Sequence, residues 1–164
     1  MVDLDEANNY FGFYYEPMHE IEQGLYLGCM RAAECEELLR AHNIKYIVQA
    51  LESQYTERFD WITYHFVEIW DNPYQDLAKH LPSALQFIHQ HLSAGENVLV
   101  HCAAGISRSS SIVIAYLMGK HLIDFYQAFD RVSSKRSCVS PNFGFRKQLK
   151  DTGEQQLRTY LILP

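Results

Sequence analysis

A chain of 164 residues, 48% apolar and 21% charged, has the length and composition of one domain with a real core, which excludes a disordered or fibrous chain. A formal net charge of −6 leaves no basic face or polybasic run, so nucleic acid and membrane are not expected partners; Lys135-Arg136 and Arg146-Lys147 are small, ordinary clusters. No apolar run approaches the roughly 18 residues of a membrane span, and Asp3, Asp5 and Glu6 interrupt any N-terminal signal segment.

Residues 1–20 are acidic and aromatic (Tyr10, Phe11, Phe13, Tyr14, Tyr15) and lack periodicity. They read as an N-terminal arm ahead of one compact domain over 21–164. Leu25-Tyr26-Leu27 after Gly24 predicts a short strand, and Ala32 to His42, with Leu38 and Leu39 among glutamates, predicts an amphipathic helix. Branched and aromatic residues predict strands over Ile44–Leu51 and Ile62–Trp70, joined by a polar connection over Glu52–Asp60. Asp71-Asn72-Pro73 is a turn signal. Leu77, Leu81, Leu85, Ile88 and Leu92 then recur at helical spacing up to Ala94-Gly95, with a kink or a restarted helix expected at Pro82. Asn97–His101 is a strand, and Ile112–Met118, Phe125–Val132 and Phe143–Leu157 read as three helices, the last after Ser140-Pro141-Asn142. This order predicts an α/β fold, a central sheet with helices on both faces.

Between the last strand and the helix after it lies His101-Cys102-Ala103-Ala104-Gly105-Ile106-Ser107-Arg108-Ser109. A loop bent back on itself at the head of a helix turns successive backbone N–H groups toward one point, and the helix adds its positive end. Ala103, Ala104, Gly105, Ile106, Ser107 and Arg108 would line such a pocket, with Gly105 permitting the sharp turn. Arg108 offers a planar fork of donors to two oxygens of a phosphate. Cys102 sits under the same positive field, where a thiolate nucleophile is favoured. A structural cysteine beside a helix start is the bland alternative.

Four cysteines (Cys29, Cys35, Cys102, Cys138) show no Cys-x-x-Cys spacing, and eight histidines are scattered without a metal-ligand rhythm, so neither metal nor cofactor is expected. A reducing compartment, cytoplasmic or nuclear, is the simpler expectation. Cys138 and Cys29 read as packing residues rather than thiols that would rescue an oxidised Cys102.

The His101-to-Ser109 motif, Asp71 on an earlier loop, and Ser140-Pro141-Asn142-Phe143-Gly144-Phe145-Arg146-Lys147-Gln148-Leu149 together resemble the cysteine-dependent dual-specificity protein phosphatases, from about Gly24 to Leu149. Within that family the chain is similar to the small single-domain group related to the phosphoserine/threonine/tyrosine-interaction protein, a pseudophosphatase. That protein has glycine where this chain has Cys102. The resemblance implies a protein tyrosine phosphatase-like fold: a mixed sheet flanked by helices, with the phosphate-binding loop between a central strand and a helix.

It also implies roles. Cys102 would attack phosphorus and Arg108 would hold the equatorial oxygens. Asp71 would protonate the leaving oxygen and then activate water; its alternative is a turn or helix-cap aspartate. Asp76 is the nearest rival and reads as a first-turn residue, while Asp60 and Glu68 are less well placed. Ser109 would bond the cysteine sulfur, or be a plain first-turn serine. His101 would brace the loop, and Asn142 would support the cradle or cap the last helix. Ser110 and Ser111 read as helix-packing residues.

The neutral loop positions Ala103, Ala104, Ile106 and Ser107 favour a phosphoprotein substrate over polyanionic lipids, which in related enzymes call for lysines in this loop. A monomer is the expected state. The alternative function is a phosphopeptide-binding scaffold with little turnover, to which Trp70 and the Gln49-Ala50-Leu51-Glu52 segment would contribute by misplacing a loop.

Overall fold

The computed structural model describes residues 16–53 and 59–162. Tyr10, Phe11, Phe13, Tyr14 and Tyr15 of the arm, and the middle of the Glu52–Asp60 connection, lie outside the described residues.

Among the described residues one sheet holds five strands: β1 (Met18–Glu22), β2 (Leu25–Gly28), β3 (Ile44–Leu51), β4 (Thr63–Glu68) and β5 (Asn97–His101). Their order is β1-β2-β5-β3-β4, with β1 antiparallel to β2 and every other pairing parallel. The central strand β5 is an uninterrupted apolar run because both of its faces are covered. Val98, Leu99 and Val100 are fully buried.

Alternation along the strands sorts the core into two layers. Leu25, Leu27, Val48, Ala50, Val98 and Val100 face α3 (Leu81–Ser93), α4 (Arg108–His121), α5 (Phe125–Lys135) and α6 (Phe143–Thr159). Tyr26, Ile47 and Leu99 face α1 (Met30–Glu34) and α2 (Glu36–Ala41). Each fully buried leucine, isoleucine or valine stabilises the fold by about 1.5–3 kcal/mol. Helices α1 and α2 carry the chain from β2 to β3 on one face, and α3 carries it from β4 to β5 on the other. The connections therefore diverge at β5, and its carboxyl end is the crevice where open α/β sheets bind ligands.

The fold class is as expected, with local corrections. Strand β1 begins at Met18, inside the segment read as an arm. Its period-two signal is broken by a register shift between Glu20 and Glu22, a bulge that hides the strand from a pattern search. The single helix expected over Ala32–His42 is two short ones, split at Cys35, whose extended φ/ψ of −92°/95° interrupts the helical ladder. Pro82 restarts a helix as expected: a 3₁₀ turn at Ala78–His80 precedes α3, and Pro82 lies in the first turn, where a missing N–H costs nothing. The last helix is interrupted at Gly153, whose φ of 72° is non-helical.

Helix α4 begins at Arg108 itself, and Arg108 to Gly119 are all buried. A helix covered all round is fixed in place by packing on every side. The loop over residues 102–107 thus hangs between a buried strand and a buried helix.

Candidate active site

The phosphate loop leaves β5 between Gly28 of β2 and Gln49 of β3, both in register with His101. It passes so close over Gly28 that a Cβ on Gly105 would lie 2.5 Å from the Gly28 carbonyl oxygen, and the Gly105 φ of 68° is strained for any other residue.

Four successive loop carbonyls are tied outward. Ala103 O accepts from Met30 N–H at 3.0 Å, and Ile106 O accepts from Ser140 N–H at 2.8 Å. Ala104 O and Gly105 O accept from the Arg136 guanidinium at 3.2 and 3.0 Å. In a trans peptide the N–H points opposite to its carbonyl, so the amides of Ala104, Gly105, Ile106 and Ser107 turn inward. This is the inward-facing set of donors that the sequence motif requires for an anion.

Inside the loop, Cys102 is 2% exposed and its Sγ accepts from Gly105 N–H at 3.2 Å and Ser109 Oγ at 3.1 Å. Both bonds stabilise negative charge on sulfur. Ser109, read either as a partner of the cysteine sulfur or as a plain first-turn serine, has its hydroxyl on that sulfur. Ser110 and Ser111, read as packing residues, have their buried hydroxyls satisfied by the carbonyls of Ile106 and Ser107. Ala103 and Ala104 are exposed, so the cradle is open to solvent.

Arg108 is 8% exposed. Its Nη1 donates to Glu52 Oε2 and approaches the Ile69 carbonyl, while its buried Nε has no partner among the described residues. A guanidinium anchored on one edge, with a buried donor left over, suits a bound oxyanion. The Glu52 carboxyl is held below the usual range by its own backbone N–H and then by Arg108. The Gln49-to-Glu52 segment, read as a departure that could misplace a loop, instead supplies the anchor of the arginine.

Asp71 stands at the exposed rim. Its Oδ1 accepts from Ser107 Oγ at 2.7 Å and from Asn142 Nδ2 at 2.9 Å. The capping alternative falls to its neighbours: Asn72 Oδ1 takes the Tyr74 N–H, and Asp76 Oδ1 takes the Lys79 N–H. Trp70 is 55% exposed and displaces nothing in this arrangement. Asn142 fills both roles left open for it. Its Oδ1 caps α6 through Phe145 N–H at 2.9 Å, and its own N–H donates to Ser107 Oγ at 3.0 Å.

His101 is fully buried, and that burial pushes its pKa down to about 4, with the Arg108 charge adding to the effect and a bond to the Cys102 backbone opposing it. The neutral ring donates from Nδ1 to the Cys102 carbonyl at 3.2 Å, and Nε2 has no partner among the described residues. It is a brace and stays uncharged at neutral pH. Burial pushes the Cys138 thiol up, which suits a packing cysteine.

Sequence reasoning missed three residues. Glu52 was findable as a carboxylate at the carboxyl end of a strand beside β5. Gln148 accepts the N–H groups of Leu77 and Ala78 at 2.8 and 3.1 Å and donates to Gln75 O at 2.8 Å, tying the Asp71 loop to α6. Arg136, read as part of an ordinary basic cluster, is 2% exposed behind the loop, and no local signal marks it.

A thiol in an oxyanion cradle, with an arginine that has a spare donor and an aspartate at the rim, is a set of groups that can transfer a phosphoryl group to sulfur and then to water. Comparison with known proteins agrees. Residues 25–155 match the family model described as dual specificity phosphatase, catalytic domain. The chain is 42% identical over 135 residues to dual specificity protein phosphatase MPK-4 of Drosophila melanogaster, an alignment covering 80% of this chain but only 35% of that protein's length. Among solved structures, DUSP15 superposes with a TM-score of 0.83 at 35% identity, covering 88% of this chain and 94% of that one. The human tyrosine phosphatase-like serine/threonine/tyrosine-interacting protein superposes with a TM-score of 0.78, also at 35% identity, covering 82% and 93%.

Proposed function

We propose, for a chain that belongs to the dual specificity phosphatase family, hydrolysis of phosphotyrosine and phosphoserine/threonine in proteins through a phosphocysteine intermediate. The observation that carries this reading is the placement of Cys102 Sγ, held by two donors inside a loop whose carbonyls all face away.

In the first step the Cys102 sulfur attacks phosphorus in line, an S–P bond forms and the P–O bond to the substrate breaks. The Asp71 carboxyl gives its proton to the departing oxygen. Arg108 and the inward amides hold the three equatorial oxygens as charge shifts across them. In the second step Asp71, now a carboxylate, takes a proton from water, the water oxygen attacks phosphorus, and the S–P bond breaks. The electron pair returns to sulfur, where Ser109 Oγ and Gly105 N–H receive it. The products are the free hydroxyl of the substrate and inorganic phosphate.

The loop positions Ala103, Ala104, Ile106 and Ser107 carry no charge, which supports a single-phosphate phosphoprotein substrate. Four free cysteines suit a cytoplasmic or nuclear setting. What supports turnover over the scaffold alternative is that Cys102, Arg108 and Asp71 are all present around the one loop.

The test is turnover of an aryl phosphate by the purified chain, by Cys102→Ser and by Asp71→Asn. Vanadate-sensitive turnover that vanishes in the first variant and falls roughly 10²- to 10⁴-fold in the second is expected for loss of the general acid. Binding of phosphopeptide with no turnover in the parent chain would instead establish the scaffold.

A further inference from the structure

The site described above uses one arginine that can touch substrate, yet a second lies behind it. Arg136 is 2% exposed, and all of its acceptors are uncharged. Nε donates to Gly105 O at 3.0 Å, Nη2 to Ala104 O at 3.2 Å, and Nη1 to Glu16 O at 2.8 Å and His19 Nδ1 at 3.0 Å. Among the described residues no carboxylate lies within ion-pairing distance of it, whereas Arg108 is paired with Glu52. Burying a cation without a counter-ion is costly, and the usual outcome is a charge partner. Here the place of a partner is left to the loop. His19, which receives one of the Arg136 bonds, has its pKa lowered by burial and then by the arginine's own charge, against the opposing effect of Glu16.

We propose that Arg136 is a positioning residue for phosphate: it fixes two successive peptide planes so that the Gly105 and Ile106 N–H groups face the bound oxyanion, and it lends the loop a positive charge that is ion-paired with no carboxylate among the described residues. The inference rests on reading the loop as a phosphate site. One guanidinium reaches both carbonyls through its fixed fork, which a lysine ammonium cannot reproduce. The same fork lies 2.8 Å from where a Cβ on residue 105 would sit, so a side chain there would press on Arg136 as well as on the Gly28 backbone. Any anion drawn into the loop is attracted to Arg136 through the polarised peptides without touching it.

The experiment compares the parent chain with Arg136→Met and Arg136→Lys, by calorimetric titration of inorganic tungstate and by aryl phosphate kinetics. Removing a group that orients direct ligands costs roughly 10- to 100-fold, so Arg136→Met is expected to lose that much tungstate affinity, with KM rising in parallel. Arg136→Lys keeps the charge but loses the two-carbonyl hold, and falls between. Added guanidinium restores part of the affinity of Arg136→Met, which a purely structural role would not allow. Parent-like tungstate affinity and KM in a folded variant would overturn the proposal, whatever thermal stability is lost. Where Arg136→Met does not fold, Arg136→Lys decides on the same terms. Failure of the phosphatase reading looks different: the parent binds tungstate but turns over no aryl phosphate, and the tungstate comparison still decides the role of Arg136.

Discussion

With its Oγ 3.1 Å from Cys102 Sγ and no exposure to solvent, Ser109 is placed to share the charge that returns to sulfur when a phosphocysteine is hydrolysed. A hydrogen bond to a charged group is worth about 1.5–3 kcal/mol, or roughly 10- to 100-fold in rate. Ser109→Ala is therefore expected to slow the second step by that factor while sparing the first. Rapid mixing with an aryl phosphate should then show a burst of aryl alcohol close to one equivalent of enzyme, followed by a slow steady rate. A uniform loss of rate without a burst would place Ser109 in the first step or in folding alone. At this scale the sequence was most informative where chemistry is local. Cys102, Arg108 and Ser109 lie within eight positions of one another; the types and spacing of the first two suggest an anion-binding thiol site, while the role of Ser109 came from the resemblance. Glu52 and Arg136 act on the same loop from distant segments, and only the folded chain brings them there.

The Asp71 loop owes its position to α6. Pro73 lies against Gly144 so closely that a Cβ there would be 1.8 Å from the Pro73 carbonyl oxygen, and Asn142 and Gln148 bond the loop on either side. Gly144→Ala must push the loop away from the cradle. Its kcat is expected to fall roughly 10²-fold with an alkyl phosphate, whose leaving group needs the proton. The fall should be far smaller with an activated aryl phosphate, and tungstate affinity should be retained. Loss of tungstate affinity in the folded variant would show that Gly144 shapes the phosphate loop instead. The Ser140-to-Leu149 motif thus has a physical reason that sequence reading could borrow only from a resemblance: Asn142, Gly144 and Gln148 are three points of one clamp. Other elements were less legible. A bulge between Glu20 and Glu22 conceals β1, and the break at Cys35 interrupts a pattern that reads as one helix. The continuous apolar run of β5 and the helical repeat of α3 were strong signals and were placed correctly.

Across the whole molecule, burial is the leading cause lowering the pKa of His19, His65, His80, His89, His91 and His101. Each of these is more readily protonated unfolded than folded, so the unfolded chain binds more protons below the ordinary histidine range and stability falls as pH falls through it. For His101 the loss runs from about pH 6.5 down to about 4. The Glu22 carboxyl, held down by Lys120 and His121 against the opposing effect of burial, and the Glu52 carboxyl act in the same direction at lower pH, where protonation removes their pairing. The thermal midpoint should therefore fall steadily between pH 7 and pH 4. His101→Asn should flatten the part of this slope that belongs to the buried ring. A midpoint that holds or rises on acidification would contradict the burial of these side chains.

The most direct measurement concerns one covalent bond. Ser109→Ala, mixed with a phosphotyrosyl peptide, quenched in acid within the burst and digested, would be read by mass spectrometry for a phosphoryl group on the Cys102 peptide. A phosphoryl adduct on Cys102 that is absent from the same variant carrying Cys102→Ser is the expected result. Turnover with no adduct on Cys102, or with the phosphoryl group on another side chain, would contradict the mechanism.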